Sequence, residues 1–184
     1  MTVEPVKDLK KLHKMYSYLT DKYKFLLKVG LNTLLRISDL LELKVDSFVS
    51  PSGKFHSHLR LNEKKTGSYK QIPINQEMKD AFKEYIRRNG LRLGDYLFFP
   101  KQNPSTNIGR ITAWKVLSKA SKRAGIDHFG THSMRKTGAW YIYETTKDLA
   151  GVQRLLNHNS STVTLRYIGV DQKKIDELYD LLRF

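Results

Sequence analysis

The sequence predicts an α+β fold, in which a mainly α-helical domain carries a small antiparallel β-sheet or hairpin near residues 48–74. Three observations predict it. Over most of the chain, apolar residues recur every three or four positions, which places them on one side of a helix. Between Phe48 and Ile74 the pattern changes to alternation, which is typical of a half-buried strand. The chain has 184 residues, 40% of them hydrophobic, without a repeat or a linker, and therefore fits one domain over residues 1–184.

The composition excludes several classes of protein. The chain has no cysteine, and its six histidines lack the spacing of a zinc site, so we expect no metal and no cofactor. No apolar run is long enough to span a membrane and no signal peptide is visible, so we expect a soluble, cytoplasmic protein. The net charge of +15 is spread along the chain and indicates a surface that faces a polyanion such as nucleic acid. The alternative is a merely basic, soluble domain.

The N-terminal part of the chain is predicted to form helices. Residues 5–18 carry apolar side chains in three-residue steps, and Pro5 suits a first helical turn. A second helix is predicted over residues 21–35. Ser38 can cap a third helix that runs through Leu43.

Arg36 falls at the junction between the second and third of these helices. Its neighbours Leu35 and Ile37 are apolar, so the arginine should be half-buried. A half-buried guanidinium group needs an anionic partner, and the sequence offers Asp39 or a ligand.

The alternating region is predicted to be a hairpin. Residues 56–61 form one strand, residues 64–67 a tight turn, and residues 69–74 the returning strand. Lysines occupy the tip, where they usually just keep an exposed turn soluble.

The remaining sequence returns to the helical pattern. Helices are predicted over residues 76–88 and 108–124, ended by Gly90 and Gly125, and over residues 173–184. The second of these helices is also basic along one side, so it can lie along a phosphate backbone, although a solvated face is the commoner explanation. Its predicted apolar positions are Ile111, Trp114, Val116, Leu117 and Ala120.

Four polar residues stand out within the apolar sequence between His132 and Tyr167. His132 and Arg135 are three positions apart, so the start of a helix would place both on one face. His158 and Tyr167 are close enough in sequence for two short helices to bring them into one pocket. Taken singly, each has an ordinary explanation as a core or surface residue. Their combination indicates a functional site.

These residues resemble the motifs of the tyrosine recombinase (phage integrase) family, and the resemblance extends over almost the whole chain. Five segments match in the family's order. They are Leu35-Arg36-Ile37-Ser38-Asp39-Leu40, Lys65-Thr66-Gly67 with Ile72-Pro73-Ile74, His132-Ser133-Met134-Arg135, Leu155-Leu156-Asn157-His158, and Tyr167.

The chain also departs from the family pattern. Lys136 replaces a histidine that frequently follows the second arginine, which keeps a cation on the phosphate side. Asn157 replaces a glycine, and asparagine can adopt the left-handed turn that this position would need. Lys64 adjoins Lys65, so the Lys-Thr register decides between the two. The resemblance further implies a preceding DNA-clamping domain that this chain lacks, and we expect a fragment or a natural short form.

The resemblance implies DNA cleavage through a 3′-phosphotyrosyl intermediate. Tyr167 would be the nucleophile and His132 the base that accepts its proton. Lys65, on a mobile hairpin tip, would protonate the departing 5′-oxygen. The reaction is reversible by a second 5′-hydroxyl and needs neither metal nor ATP.

The remaining motif residues would stabilise charge on the phosphate. Arg36 and Arg135 would hold the non-bridging oxygens, and His158 would donate a further hydrogen bond. Asp39 would orient Arg36 without touching the phosphate.

Two other functions remain open at this stage. One is a catalytically silent DNA-binding regulator of the same fold, and the other is DNA relaxation of the type IB topoisomerase kind. The resemblance implies double-stranded DNA as the partner, a homo-tetramer on DNA and a monomer when free, in the service of a phage or another mobile genetic element. It also implies that residues 173–184 dock on a neighbouring subunit, although they could equally fold back on their own domain.

Overall fold

The computed structural model describes residues 3–101, 103–170 and 180. It has the predicted α+β architecture, and the predicted helix over residues 173–184 lies outside the described residues. No helix in the described part is long and apolar enough to cross a bilayer. The described helices and strands are α1 (Leu9–Ser17), α2 (Asp21–Thr33), α3 (Ile37–Leu40), β1 (His58–Asn62), β2 (Tyr69–Pro73), α4 (Gln76–Asn89), α5 (Arg110–Arg123), α6 (Ser133–Thr146), α7 (Leu149–Leu156) and α8 (Ser161–Tyr167).

The predicted hairpin is present. Strands β1 and β2 pair antiparallel, with His58 opposite Pro73 and Asn62 opposite Tyr69. Leu59 points into the main core and is fully buried. Residues 63–68 connect the strands and carry the two lysines at the tip.

The first helix begins later than the sequence predicts. Asp8 caps α1, since its carboxylate accepts hydrogen bonds from the backbone of Lys10 and Lys11. Pro5 therefore precedes the helix instead of lying in its first turn. The backbone N–H of Val6 donates to the buried Thr137 hydroxyl at 2.8 Å, which fixes this segment on α6.

The junction between α2 and α3 also differs from the prediction. Leu34 adopts a left-handed conformation, with φ 54°, so α2 ends before it. The chain then re-enters a helix at Ile37, and Arg36, not Ser38, occupies the capping position. Arg36 lies at the helix junction as predicted.

Helix α5 is rotated relative to its predicted face. Small residues form much of the buried side of this helix, which packs on α1 and α2. Ile111 and Trp114, predicted to be part of the apolar face, are instead 66% and 44% exposed. The buried residues are Ala113, Leu117, Ala120 and Ser121.

Close packing of α2 against α6 positions the functional region. A Cβ atom on Gly138 would lie 2.3 Å from the Leu31 carbonyl oxygen, so only glycine permits this approach. The contact brings the C-terminal end of α2 next to the first turns of α6. A second, smaller hydrophobic cluster, with Leu34, Val152 and Ile168 at its centre, fixes α7 and α8 at the same place.

Candidate active site

A single carboxylate contacts both arginines of the predicted site. Glu63 Oε1 lies 2.6 Å from Arg36 Nη1 and 3.3 Å from Arg135 Nη1. The contact with Arg36 is ionic and not an aligned hydrogen bond, because this Nη1 has no partner of hydrogen-bonding geometry among the described residues. The two arginines, which come from opposite halves of the chain, therefore meet at one point.

Arg135 is a buried cation whose charge is compensated. Its side chain is 3% exposed. Nη1 donates to the Leu34 carbonyl at 2.6 Å, and Nη2 donates to the Leu156 carbonyl at 2.7 Å. Both carbonyls belong to helix C-terminal ends, where the helix dipole is negative and the oxygens lack helical partners. The left-handed conformation of Leu34 directs its carbonyl oxygen to Arg135, which donates a hydrogen bond to it.

Glu63 was not predicted from the sequence, where Asp39 or a ligand was the expected partner of Arg36. Burial alone raises the pKa of Glu63, but the contacts with Arg36 and Thr66 and the charge of Arg135 outweigh it. The pKa therefore lies below its usual value and the group is ionised. A glutamate two positions before the predicted lysine was the available signal.

Asp39 makes different contacts from the predicted ones. Its Oδ1 atom accepts a hydrogen bond from the backbone N–H of Lys64 at 3.0 Å, which ties the start of the hairpin turn to α3. Its own backbone N–H donates to the Arg36 carbonyl at 2.9 Å. Asp39 is thus linked to Arg36 through the main chain, while Glu63 contacts the guanidinium group.

The hairpin turn distinguishes its two lysines. Both lysines are exposed, but Lys64 Nζ forms a 2.7 Å ion pair with Glu42. The charge of Lys65 is the smallest of those that lower the pKa of His132. We expected this turn to be mobile. Its C-terminal end is attached to α7, because Asn157 Nδ2 donates a hydrogen bond to Ser68 Oγ at 3.1 Å.

His132 lies at the N-terminal end of α6, where its side chain remains accessible. Partial burial, followed by the charges of Arg135 and Arg36, lowers its pKa below 6.5. At neutral pH His132 is therefore uncharged and able to accept a proton.

His158 is fixed by Thr164. The Thr164 hydroxyl donates to the Ser160 carbonyl at 3.1 Å, so it accepts from His158 Nδ1, which lies 3.2 Å away. This hydrogen bond assigns the proton of neutral His158 to Nδ1. Burial and the charges of Arg135 and Arg36 lower its pKa as well.

Tyr167 ends α8 and packs edge-on against His158, with ring centroids 5.0 Å apart. Its hydroxyl is buried and has no hydrogen-bond partner among the described residues. Burial raises the pKa of Tyr167 above 10, while the charge of Arg135, its proximity to the hydroxyl and the charge of Arg36 act in the opposite direction. The phenol is therefore neutral at physiological pH and needs a base before it can attack.

The two departures from the family motifs have structural explanations. Asn157 is the left-handed residue that ends α7, with φ 56° and ψ 47°, which confirms the conformation expected for the position. Lys136 Nζ lies 5.0 Å from the centre of the Tyr167 ring and donates to the Val3 carbonyl at 2.6 Å. A cation is thus present beside Tyr167.

The structure consequently brings the predicted residues together on one side of the molecule. Arg36 and Arg135 meet at Glu63, and His158 and Tyr167 pack on each other, while charges from both arginines reach both histidines and the tyrosine. A buried tyrosine hydroxyl beside arginines and neutral histidines is the arrangement expected of a phosphoryl-transfer enzyme that uses a tyrosine nucleophile.

Comparison with known proteins agrees with this class. The model of the phage integrase family matches residues 5–174, and the chain belongs to this family. It is 36% identical over 173 residues to the probable integrase/recombinase YoeC of Bacillus subtilis, covering 92% of this chain and 91% of YoeC. It is 30% identical over 148 residues to the tyrosine recombinase XerA of Pyrococcus furiosus, covering 79% of this chain and 49% of XerA. The chain thus spans about half the length of that longer relative.

Solved structures show the same fold. A crystal structure of XerA recombinase has a TM-score of 0.74 at 20% identity, covering all of this chain and 66% of the other. A post-cleavage complex of the XerH site-specific recombinase with a palindromic difH substrate has a TM-score of 0.76 at 20% identity, covering 98% and 52%.

Proposed function

We infer that this chain catalyses site-specific DNA recombination by cleaving and rejoining DNA strands through a 3′-phosphotyrosyl intermediate. The observation that carries the inference is the Tyr167 hydroxyl, which is buried near Arg135 and Arg36 and has no partner of good hydrogen-bonding geometry among the described residues. A buried polar group without a partner is rare and needs a reason. A nucleophile that waits for its phosphate supplies one.

The first half of the reaction uses Tyr167, His132 and Lys65. The tyrosine oxygen forms a bond to phosphorus as the bond from phosphorus to the 5′-oxygen breaks. Neutral His132 accepts the phenolic proton, and Lys65 gives a proton to the departing 5′-oxygen. Attack by a 5′-hydroxyl on the phosphotyrosine reverses each transfer, so the bond energy is retained.

The arginines stabilise the charge that develops on the phosphate. Arg135 uses three N–H contacts for Leu34, Leu156 and Glu63, and a guanidinium group has five donors. Donors therefore remain for a non-bridging oxygen. Arg36 is less buried, with its side chain 19% exposed, and is the more accessible of the two. His158, whose Nδ1 proton is held by Thr164, donates to the same phosphate through Nε2 in its protonated form, which the charge of the bound phosphate favours.

The proposed partner is double-stranded DNA, bound by a homo-tetramer that assembles from monomers. The chain carries a net charge of +15, which favours contact with phosphates. The relatives of known structure include recombinases bound to DNA, such as the XerH complex.

A groove supports docking between subunits. It has a volume of about 720 Å³ and lies between β2, the end of α2 and α7. Its rim includes Tyr69 and Leu155, which are 61% and 48% exposed. We assign residues 173–184 of a second copy to this groove, because their sequence has a narrow apolar stripe that could cover it. The stripe consists of Ile175, Leu178, Leu181 and Leu182.

The decisive experiment traps the covalent intermediate. A DNA substrate nicked just 3′ of the cleavage point releases the short fragment that carries the new 5′-hydroxyl, so rejoining is prevented and adduct accumulates on a denaturing gel. We expect adduct with the natural chain and none with Tyr167→Phe, which removes one oxygen and leaves DNA binding nearly intact. An adduct with Tyr167→Phe would assign the nucleophile to another residue.

The same preparation separates the related functions. Recombination between two sites, without efficient relaxation of a supercoiled plasmid, supports a recombinase. Rapid relaxation by the monomer would instead indicate topoisomerase activity, and binding without adduct would indicate a silent regulator.

A further inference from the structure

Glu63 joins three parts of the site that the proposed reaction uses separately. Its Oε1 atom contacts the guanidinium groups of Arg36 and Arg135, at 2.6 and 3.3 Å. Its Oε2 atom accepts a hydrogen bond from Thr66 Oγ1 at 3.0 Å, in the turn that carries Lys65. The side chain is 0% exposed, so solvent does not satisfy this carboxylate.

The backbone of Glu63 closes the same turn. Its N–H donates to the Ser68 carbonyl at 2.9 Å, and its carbonyl accepts from the Gly67 N–H at 2.8 Å. The residue is therefore the base of the loop that carries Lys65. A shift of the Glu63 side chain would move the arginines and the lysine relative to one another.

The charge of Glu63 has its own effect. Two guanidinium groups that approach one point repel each other, and the repulsion is strong where water is excluded. One carboxylate between them removes this repulsion while the phosphate is absent. Buried charges are tolerated when they are paired in this way.

We propose that Glu63 is a positioning residue of the cleavage reaction, which holds Arg36 and Arg135 in their phosphate-receiving arrangement and fixes the Lys65 turn beside them. The assignment rests on the proposed recombinase function. Glu63 does not touch the reacting atoms. It acts through the arginines by charge and through Lys65 by the hydrogen bonds of the turn.

The opposite role would also place a carboxylate between two arginines. In that case Glu63 occupies the position of the phosphate and blocks it. The two roles differ in sign, because a positioning residue is needed for cleavage whereas a blocking residue retards it.

The test measures single-turnover adduct formation on three versions of one nicked substrate. The first has the ordinary phosphate. The second has sulfur in place of the 5′-bridging oxygen, and a thiolate leaves without a proton from Lys65. The third is a methylphosphonate, which carries no negative charge at the reacting phosphorus, so its cleavage depends less on stabilisation by the arginines.

Glu63→Gln removes the charge and keeps the shape, and Glu63→Asp keeps the charge on a shorter side chain. The matched control is Glu42→Gln, because Glu42 is a carboxylate that pairs with Lys64 of the same turn but contacts neither arginine in the described structure. Lys65→Ala and Tyr167→Phe are measured beside them.

We expect Glu63→Gln to lose at least about tenfold in rate on the ordinary phosphate, since a small misplacement of catalytic groups has effects of that size. The loss of rate should be smaller on both modified substrates. The sulfur substrate does not need the proton from Lys65, and the methylphosphonate depends less on the arginines, so each bypasses one of the two groups that Glu63 positions. Lys65→Ala should recover only on the sulfur substrate. Glu63→Asp should lie between Glu63→Gln and the natural chain, and Glu42→Gln should match the natural chain.

Two results would overturn the proposal. An equal loss on all three substrates would show a merely structural role, and faster cleavage by Glu63→Gln would show a blocking role. If Glu63→Gln does not fold, judged by circular dichroism, Glu63→Asp is compared across the substrates by the same criterion. Absence of adduct with the natural chain on every substrate would refute the recombinase function itself, which is a different outcome.

Discussion

The ammonium group of Lys136 lies 5.0 Å from the centre of the Tyr167 ring and simultaneously donates to the carbonyl of Val3 at 2.6 Å. One side chain thus connects the proposed nucleophile to the segment that precedes α1. A second contact reinforces the connection, because Lys7 Nζ donates to the Gly169 carbonyl, two residues after the tyrosine, at 3.0 Å. The N-terminal segment therefore helps to hold Tyr167.

Lys136→Met should weaken this hold. A partly buried cation–π contact is worth up to about 2 kcal/mol, so we expect the rate of adduct formation to fall by up to about thirtyfold, at about 1.4 kcal/mol per factor of ten. Lys136→Arg should retain most of the rate. The control is Lys147→Met, because Lys147 lies 5.7 Å from the Tyr143 ring at the other end of the same helix. Equal rates for Lys136→Met and the natural chain would show that the contact does not position Tyr167.

The two histidines should titrate below 6.5 in the free protein. Burial and the two arginines disfavour their charged forms, so each proton is lost at a lower pH than in an unfolded chain. A bound phosphate should raise both midpoints, because its negative charge offsets the arginines. Proton NMR of the ring resonances, with His132→Gln and His158→Gln for assignment, measures both effects. Midpoints above 6.5 without a ligand would contradict the described surroundings.

Thr164→Val should allow neutral His158 to populate both of its tautomers. The hydroxyl of Thr164 accepts from Nδ1, and valine keeps the shape without the acceptor. We expect nitrogen NMR to show a single Nδ1-protonated form in the natural chain and a mixture in the variant. Thr164→Ser retains the hydroxyl and serves as the control. A natural chain protonated on Nε2 would show that Thr164 donates to the histidine instead.

Gly138→Ala should separate α2 from α6. The new methyl group would meet the Leu31 carbonyl at 2.3 Å, and overpacking of this kind costs about 1–3 kcal/mol. For a domain of this size the melting temperature should fall by about 2–4 °C for each kcal/mol. Gly109→Ala, at a position with open space around it, is the control. Adduct formation should fall as well, since the displaced Leu34 carbonyl no longer meets Arg135. An unchanged melting temperature would mean that the two helices can separate without cost.

Removal of residues 173–184 should impair assembly more than monomer binding. If the segment docks on a neighbouring copy, the truncated chain binds one half-site normally but loses cooperativity on paired half-sites, and its cleavage no longer depends on assembly. Gel-shift titration and cross-linking on single and paired half-sites measure this difference. Identical assembly and identical cooperativity of cleavage would show that the segment only covers its own domain.

Local sequence determined most of the secondary structure. The hairpin followed from alternation between Phe48 and Ile74, and the end of α4 from Gly90, which adopts φ 62°. The conformation of Asn157 followed from its place in a motif that needs a left-handed residue. These features depend on backbone preferences and on neighbours within a few positions, so they are readable without the fold.

Tertiary packing decided the features that depend on distant segments. The spacing of apolar residues predicted that Ile111 and Trp114 are buried, but α5 packs on a rotated face that keeps Leu117 and Ala120 and adds the small residues Ala113 and Ser121. Asp8 and Thr137 together determined where α1 begins.

The partner of Arg36 is the clearest case. The sequence established that the arginine needed an anion, and Asp39, three positions away, was the nearest candidate. Glu63 took that place because the β1–β2 hairpin folds back over α3 and brings its carboxylate to both arginines at once. Sequence patterns determine which charges must be compensated, whereas the group that compensates them is determined by which chain segments pack together.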